Sequence, residues 1–175
     1  MKLKKLIAEG EIKEKTEKLA KEITKTFNGE PITVISLLKG AFIFTADILR
    51  NLKNVEAVEF VRVKSYSGTQ KKETKLHFPK DLTLKGKNVL ILDDIFDTGE
   101  SLETVVKEVE KQKPKKLKTC VLLDKQVEKN VDIYPDFVGF KIPDKFVVGY
   151  GLDYNELFRE LPYVAYIEGD EDGQG

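Results

Sequence analysis

The spacing of hydrophobic residues switches repeatedly between a helical and an extended period along this chain of 175 residues. Near the start, apolar and small residues recur every three or four positions among lysines and glutamates, at Ile12, Thr16, Leu19, Ile23 and Phe27. This period predicts an amphipathic first helix, and Asn28-Gly29 supplies its stop.

The next segments predict a strand, a turn, a helix and another strand. Residues 32–38, "ITVISLL", form a short apolar run typical of a buried strand, Lys39-Gly40 follows as a turn, and residues 41–52 predict a helix. Residues 55–66 alternate at period two, which predicts a second strand. The polar stretch 67–75, "SGTQKKETK", predicts an exposed mobile loop.

The second half repeats this alternation of strand and helix. Residues 88–92 and 117–124 predict buried strands, and one apolar face between them predicts a helix, through Leu102, Val105, Val106 and Val109. Three further segments predict extended structure: 136–143, 145–151 and 163–168. Strands that alternate with helices indicate an α/β fold with a mostly parallel sheet covered on both faces. The acidic, glycine-rich tail 168–175 is expected to be frayed.

Composition narrows the class of protein. The length suits a single domain over residues 1–175, and 30 basic against 30 acidic residues give a net charge of zero, which argues against a general nucleic-acid coat protein. The single cysteine, Cys120, lies in an apolar run and is expected to be buried in a reducing compartment. No segment has the composition of a membrane span or a signal peptide, so we expect a cytoplasmic protein.

Three aspartates at the end of one predicted strand are the main candidate for chemistry. In "NVLILDDIFDTGES", Asp93, Asp94 and Asp97 crowd together before Thr98-Gly99, and such an arrangement costs free energy unless a cation or ligand neutralises it. Ligands of open α/β sheets bind beyond the carboxyl ends of the strands. The following helix start suits a phosphate, while carboxylates suit a ribose diol or a magnesium-bound diphosphate. The stretch therefore predicts a sugar-phosphate site.

Three other interpretations of this stretch remain open. An aspartate or threonine could simply cap the next helix, although one cap does not need three carboxylates. "DDIFD" could be the DDxxD motif of prenyl-diphosphate enzymes, whose aspartates project from a helix, although the β-type run before it and Gly99 speak against a helix. A phosphorylation receiver domain also clusters aspartates, but on separate strands.

The stretch "VLILDDIFDTGESL" resembles the signature of the type I phosphoribosyltransferases for 5-phosphoribosyl 1-diphosphate. Further segments resemble the hypoxanthine-guanine branch of that family in the same order, from about residue 32 to 167: "SLLKGAFIFTADILR", "VRVKSYSGT", "LLDK" and "PDFVGFKIPDKFVVGYGLDYNELFRELPYVAYI". The resemblance implies purine salvage: transfer of the 5-phosphoribosyl group to N9 of hypoxanthine or guanine. It also implies a mostly parallel twisted sheet flanked by helices, with a small hood formed by the chain ends.

The resemblance assigns the acidic cluster to the activated sugar. It implies that Asp93 and Asp94 hold the ribose hydroxyls, with Mg²⁺ bridging to the diphosphate, although the family usually has Glu at the first position. Asp97 would face N7 of the purine as a general base or acid. The 5′-phosphate would be held mainly by backbone N–H groups of Thr98, Gly99, Glu100 and Ser101, with the Glu100 side chain pointing outward.

The resemblance assigns the leaving group to two other places in the chain. The diphosphate would meet the turn Leu38, Lys39 and Gly40, whose first peptide bond is often cis in the family, and Arg159. Without a functional role, Lys39 would belong to an ordinary turn, and Arg159 would be a solvated charge on a helix.

The resemblance also implies a base pocket and a closing loop. Lys125 would donate to the 6-oxo group, Phe146 would stack on the purine, Val147 would contact its edge, and Asp153 would bind a second Mg²⁺. Ser65-Tyr66 would belong to a flexible loop that closes over the site.

Partners follow from the same resemblance. We expect small-molecule substrates, no membrane and no nucleic acid, and a homodimer or homotetramer. The alternative from another class is a regulator that keeps this fold and binds RNA or DNA. Such a protein should carry a basic face and can lack parts of the base pocket.

Overall fold

A computed structural model describes residues 1–67 and 72–169 of the chain. It contains three helices in these residues: α1 Glu9–Thr26, α2 Phe42–Asn51 and α3 Glu100–Glu110. The strands in these residues are β1 Lys2–Ile7, β2 Ile32–Leu38, β3 Val55–Ser67, β4 Lys72–His77, β5 Asn88–Phe96, β6 Lys116–Lys125, β7 Phe137–Ile142, β8 Val147–Val148 and β9 Val164–Glu168.

The larger sheet has six strands in the order β4-β3-β2-β5-β6-β7. All neighbours in it are parallel except β3 and β4, which form an antiparallel pair. Helices α1 and α2 pack on one face and α3 on the other, because successive residues of the central strands point into two separate cores. Val34 and Leu90 face the first core, whereas Ile35 and Ile91 face the second. The predicted α/β fold is confirmed.

A second sheet joins the two ends of the described chain. Its order is β1-β9-β8, and β1 runs antiparallel to β9. This is the hood expected from the family resemblance. The strand β1 was not predicted from the sequence. Glu168, where the frayed tail was expected to begin, is the last residue of β9 and pairs with Lys2, while residues 170–175 lie outside the described part.

The predicted mobile loop 67–75 is wrong at both ends. Ser67 ends β3, β4 starts at Lys72, and the two strands pair in antiparallel fashion. Residues 68–71 lie outside the described residues. A polar sequence can form strands here because the ladder uses backbone N–H and C=O groups, which every residue type except proline supplies.

Most other local predictions hold, but of the extended segment predicted at 145–151 only Val147–Val148 form a strand, and Tyr150 and Gly151 lie in a turn. Helix α1 ends before Asn28 and Gly29, which both adopt positive φ, at 55° and 70°. Cys120 is fully buried on β6, and burial raises the pKa of its thiol. Among the described residues, no helix combines the length and the apolar composition needed to cross a membrane.

Candidate active site

Two adjoining cavities open at the carboxyl ends of the central strands, where ligands of such sheets bind. The first, about 250 Å³, is lined by the end of β5 and the turn 98–101, and we call it the turn cavity. The second, about 390 Å³, lies beneath the hood and is lined by residues of β3, β6 and the segment 146–159; we call it the hood cavity. Asp94, Asp97 and Gly40 line both, so one ligand could extend from one cavity into the other.

The turn before α3 is built to accept an anion. Helix α3 starts at Glu100, and its N-cap residue Gly99 has φ 98°, in the left-handed region. A Cβ at Gly99 would lie 2.4 Å from Cγ2 of Val131, so only glycine fits. Among the described residues, the amides of Thr98 and Gly99 donate to no protein acceptor. Free amides beside the positive end of a helix suit a phosphate group.

The capping and DDxxD interpretations are wrong for this chain. Helix α3 has no side-chain capping bond, so neither an aspartate nor Thr98 caps it. Asp93 and Asp94 lie on strand β5, not on a helix. Glu100 is exposed, and its Oε1 accepts a hydrogen bond from Nδ2 of Asn130 at 3.0 Å.

The acidic pair is held by its own backbone. The amide of Asp94 donates to Oδ1 of Asp93 at 2.9 Å, and the amide of Ile95 donates to Oδ1 of Asp94 at 2.8 Å. Asp93 is only 7% exposed. Burial, and then the charge of Asp94, raise the pKa of Asp93 well above its usual value, and burial also raises the pKa of Asp94. A cation or a hydroxyl-bearing ligand would relieve the cost of this arrangement.

The turn between β2 and α2 lies directly against the acidic pair. A Cβ at Gly40 would lie 1.9 Å from Oδ2 of Asp94, so any other residue here must displace that carboxylate. The carbonyl of Gly40 is in turn approached by Gly151, where a Cβ would lie 2.4 Å from that oxygen and φ is 98°. The peptide bond between Leu38 and Lys39 is cis. Two glycines therefore let a backbone loop contact the carboxylates on one side and the segment 149–162 on the other.

Two cations lie beside this turn. Nζ of Lys39 is 3.4 Å from Oε1 of Glu156, and Arg159 NH2 is 3.2 Å from the same oxygen and 3.4 Å from Oδ2 of Asp153. Arg159 also donates from NH1 to the carbonyl of Gly151 at 2.7 Å. Arg159 lies in a turn segment, so its alternative as a helix charge is wrong. The Arg159 and Lys39 side chains hold the pKa of Glu156 below its usual value.

The hood cavity brings together the residues expected in a base pocket. Nζ of Lys125 is 3.7 Å from Oδ2 of Asp97 and 3.5 Å from Oδ1 of Asp144. Phe146 is 42% exposed into this region, which excludes the alternative that it is plain core. The ring of Tyr154 meets it edge to face, with centroids 5.8 Å apart. Val147 is buried on β8.

The structure thus brings most of the expected site residues around the two cavities. Ser101 lines the turn cavity with Thr98 and Gly99, and Asp153 lines the hood cavity. Ser65 and Tyr66 lie on β3, paired with Thr74 and Glu73 of β4. Their closure over the site stays a prediction.

Sequence reasoning missed several residues that contact this set. Glu156 joins the two cations, Asp144 contacts Lys125, and Lys129 reaches the strand ends behind the site. A faint signal existed for Asp144, which stands two positions before Phe146. Glu156 and Lys129 lie in polar irregular segments, where a charged residue is ordinarily solvated.

The carboxylates fit a magnesium ion that is shared with a substrate. Asp93, Asp94 and Asp153 offer the hard oxygen ligands that Mg²⁺ prefers. Among residues 1–67 and 72–169, no three acidic, histidine or cysteine side chains form a ready-made metal cluster. Mg²⁺ commonly takes one or two carboxylates and draws its other ligands from water and substrate phosphates.

Comparisons with known proteins agree with this geometry. The family model described as phosphoribosyl transferase domain matches residues 4–155. The hypoxanthine-guanine phosphoribosyltransferase of Aquifex aeolicus (strain VF5) is 48% identical over 170 residues, which cover 95% of this chain and 96% of that protein.

Two solved structures are similar over nearly the whole chain. A hypoxanthine-guanine phosphoribosyltransferase from Bacillus anthracis is 41% identical with a TM-score of 0.88, and the match covers 94% of this chain and 98% of that one. The hypoxanthine phosphoribosyltransferase from Trypanosoma cruzi, in complex with the product IMP, is 35% identical with a TM-score of 0.86 and covers 94% of each chain.

Proposed function

Because the chain belongs to the hypoxanthine-guanine phosphoribosyltransferases, within the phosphoribosyl transferase family, we propose that it salvages purine bases. It transfers the 5-phosphoribosyl group from 5-phosphoribosyl 1-diphosphate to N9 of hypoxanthine or guanine, which gives IMP or GMP and diphosphate. The observation that carries this proposal is the common wall of the two cavities, where Asp94 and Asp97 line both. A ligand with a phosphate at one end and a base at the other would fill both at once.

The activated sugar is bound by the end of β5 and the turn after it. The 5′-phosphate accepts hydrogen bonds from the backbone amides at Thr98, Gly99, Glu100 and Ser101, whose donors are oriented before the ligand arrives. The carboxylates of Asp93 and Asp94 face the ribose hydroxyls. Burial raises the pKa of both carboxylates, and a cation or the ribose hydroxyls would relieve the cost of keeping them charged there.

The diphosphate lies against the turn Leu38, Lys39 and Gly40. Lys39 and Arg159, which Glu156 holds together, supply positive charge to the leaving group. Asp93 and Asp94 would hold one Mg²⁺ and Asp153 a second, each together with substrate oxygens, and these ions would supply charge neutralisation at the diphosphate.

The base lies in the hood cavity. Phe146 stacks on the purine, the backbone at Val147 contacts its edge, and Lys125 donates to the 6-oxo group. A charged donor at this position discriminates against adenine, whose amino group is itself a donor.

The displacement at C1 follows from this placement. The bond from C1 to the diphosphate oxygen breaks, and its electrons leave with the diphosphate, while N9 of the purine bonds to C1. Asp97 accepts the proton from N7, and such assistance is worth about 10²–10⁴ in rate. Most of the remaining acceleration comes from positioning and from charges that already lie in place.

One assay tests this function directly. The protein is incubated with 5-phosphoribosyl 1-diphosphate, Mg²⁺ and, in turn, hypoxanthine, guanine, xanthine and adenine, and the nucleotide formed is identified. We expect IMP and GMP and little AMP. No nucleotide from any base would overturn the proposal, and binding of RNA or DNA without transfer would favour the regulator, which the comparisons do not support.

Three further expectations remain predictions from the sequence. These are the organisation of residues 1–175 as one domain, a cytoplasmic location, and a homodimer or homotetramer.

A further inference from the structure

Lys129 lies in the loop between β6 and β7, and its ammonium ties together the ends of two neighbouring strands. It donates to the carbonyl of Phe96 at 3.0 Å and of Asp97 at 2.7 Å, both at the end of β5. It also donates to the carbonyl of Lys125, the last residue of β6, at 2.6 Å. An ammonium group carries three N–H donors, so these three carbonyls use all of them.

A buried carboxylate anchors the same ammonium. Oδ1 of Asp124 is 2.9 Å from Nζ of Lys129, and Asp124 is only 2% exposed. No hydrogen bond of standard geometry reaches this oxygen from any described residue. The contact is therefore one of charge with charge. The other oxygen, Oδ2, accepts a hydrogen bond from the hydroxyl of Tyr134 at 2.6 Å.

Aromatic rings close the remaining sides. Nζ of Lys129 lies 4.6 Å from the centroid of the Phe96 ring, and the ring of Tyr134 meets Phe96 edge to face at 5.9 Å. The position of the ammonium is thus set by Asp124 and the Phe96 ring, while Tyr134 contacts both of these residues. The carbonyls that it holds belong to Asp97 and Lys125 themselves, the two residues whose side chains meet inside the hood cavity.

We propose that Lys129 is a positioning residue for the transfer, and that it sets the distance between Asp97 and Lys125 by fixing the backbone from which each side chain projects. The proposal rests on the function proposed above. Lys129 lies behind both cavities and lines neither, among the residues described for their walls. Because small displacements of reacting groups cost large factors in rate, loss of this tie should act on the chemistry without touching the substrate.

The alternative is that Lys129 only stabilises the fold. Strand β6, which precedes the loop of Lys129, supplies a matched control. Lys116, at the opposite end of β6, also donates to a backbone carbonyl, that of Thr26 at 2.9 Å, and lies 6.0 Å from the centroid of the Phe27 ring. It is far from the site but makes the same kinds of contact. Lys116→Met therefore measures what the loss of such contacts costs in general.

The experiment compares Lys129→Met, Lys129→Arg, Lys116→Met and the double variant Asp124→Asn/Lys129→Met with the wild-type protein. The double variant removes the buried carboxylate that Lys129→Met leaves without a counter-charge, so it should regain thermal stability. Thermal midpoints, kcat, and KM for hypoxanthine and for 5-phosphoribosyl 1-diphosphate are measured for each protein.

We expect Lys129→Met and the double variant to lose about tenfold or more in kcat/KM for hypoxanthine, with KM for the sugar diphosphate changed by less than about threefold. Lys129→Arg keeps the charge and should recover part of the loss, while Lys116→Met should keep wild-type kinetics. Activity that returns with stability in the double variant, or an equal loss in Lys116→Met, would overturn the proposal. Wild-type kinetics in Lys129→Met would also overturn it.

A second readout separates this proposal from the proposed function. Each of the three carbonyls shares a peptide group with the next amide, whose signal therefore reports on the hydrogen bond from Lys129. These amides belong to Asp97, Thr98 and Gln126. Their nuclear magnetic resonance signals should shift in Lys129→Met and stay in Lys116→Met, whether or not the wild-type protein forms a nucleotide. If these signals are unchanged in both variants, the hydrogen bonds from Lys129 do not exist in solution, and the proposal is wrong. An inactive wild-type protein would count against the proposed function alone.

Discussion

Nζ of Lys125 lies 3.7 Å from Oδ2 of Asp97, across the carboxyl ends of two neighbouring strands. One residue is a donor and the other a proton acceptor, and both face the cavity assigned to the purine. In the proposed reaction this pair recognises the 6-oxo group and accepts the N7 proton of the same ring.

Replacing Asp97 tests the proton transfer. We expect Asp97→Ala to lower kcat by about tenfold or more, because the acceptor for the N7 proton is gone. Affinity for 5-phosphoribosyl 1-diphosphate should be largely kept, since Asp93, Asp94 and the turn 98–101 remain. Steady-state kinetics with calorimetric titration of the sugar diphosphate measure both, and near-normal turnover would refute the role.

Replacing Lys125 tests base selection. Lys125→Met removes the donor for the 6-oxo group and should lower kcat/KM for hypoxanthine by about 100-fold. The ratio of kcat/KM for hypoxanthine to that for adenine should fall as well. Lys118→Met is the control, because Lys118 lies on the same strand and its ion pair with Asp136, at 3.9 Å, is away from the site. A variant that still prefers hypoxanthine as strongly as the wild-type protein would contradict the assignment.

Gly40 tests the packing of the turn on the acidic pair. The methyl group of Gly40→Ala would lie 1.9 Å from Oδ2 of Asp94 and must push that carboxylate aside. We expect affinity for the sugar diphosphate to fall by about tenfold or more, with little loss of stability. Gly10→Ala is the matched control, because nothing lies within 4 Å of its new methyl group. Unchanged affinity in Gly40→Ala would show that Asp94 can move without consequence.

The hydrogen bond from Tyr134 to Asp124, the carboxylate that contacts Lys129, can be tested by the pH dependence of stability. Burial alone would raise the pKa of Asp124, but the hydrogen bond from Tyr134 and the Lys129 ammonium outweigh it, so the pKa lies below its usual value. The charged carboxylate thus stabilises the fold above the pKa of the unfolded chain, about 3.9, and this contribution is lost as the pH falls through the lower folded pKa.

Tyr134→Phe should therefore lower the free energy of unfolding by about 1 kcal/mol at pH 7, and this cost should shrink as the pH falls below about 4. Urea unfolding at a series of pH values measures the difference between the two proteins. A cost that is constant across the range would mean that the Tyr134 hydroxyl does not favour the charged form of Asp124.

Regular elements with a strong apolar period could be predicted from the sequence. Helix α1 and the strands β2, β5 and β6 were found because burial dictates which positions are apolar. The strand β1 was missed because "KLKKLI" is half lysine, and its partner β9 lies more than 150 residues further along the chain. The hairpin β3 and β4 was missed at its polar end, since backbone pairing leaves no trace in side-chain hydrophobicity.

The site was predictable where function concentrates residues in one short segment. Asp93, Asp94 and Asp97 could be recognised because clustered carboxylates repel one another, so their presence indicates a bound cation or ligand. The network of Lys129, Asp124 and Tyr134 has no such signal, because its members meet only when the loop between β6 and β7 folds back on two strand ends. The same holds for Glu156, which reaches Lys39 across 117 positions of sequence.

Titration of 5-phosphoribosyl 1-diphosphate in the presence of Mg²⁺ tests the central claim most directly, with the wild-type protein and the double variant Asp93→Asn/Asp94→Asn side by side. If the acidic pair holds the ribose and the metal, the variant should bind the sugar diphosphate about tenfold or more weakly and lose its dependence on Mg²⁺, while it stays folded. Equal affinity of the two proteins, with equal dependence on Mg²⁺, would contradict the account.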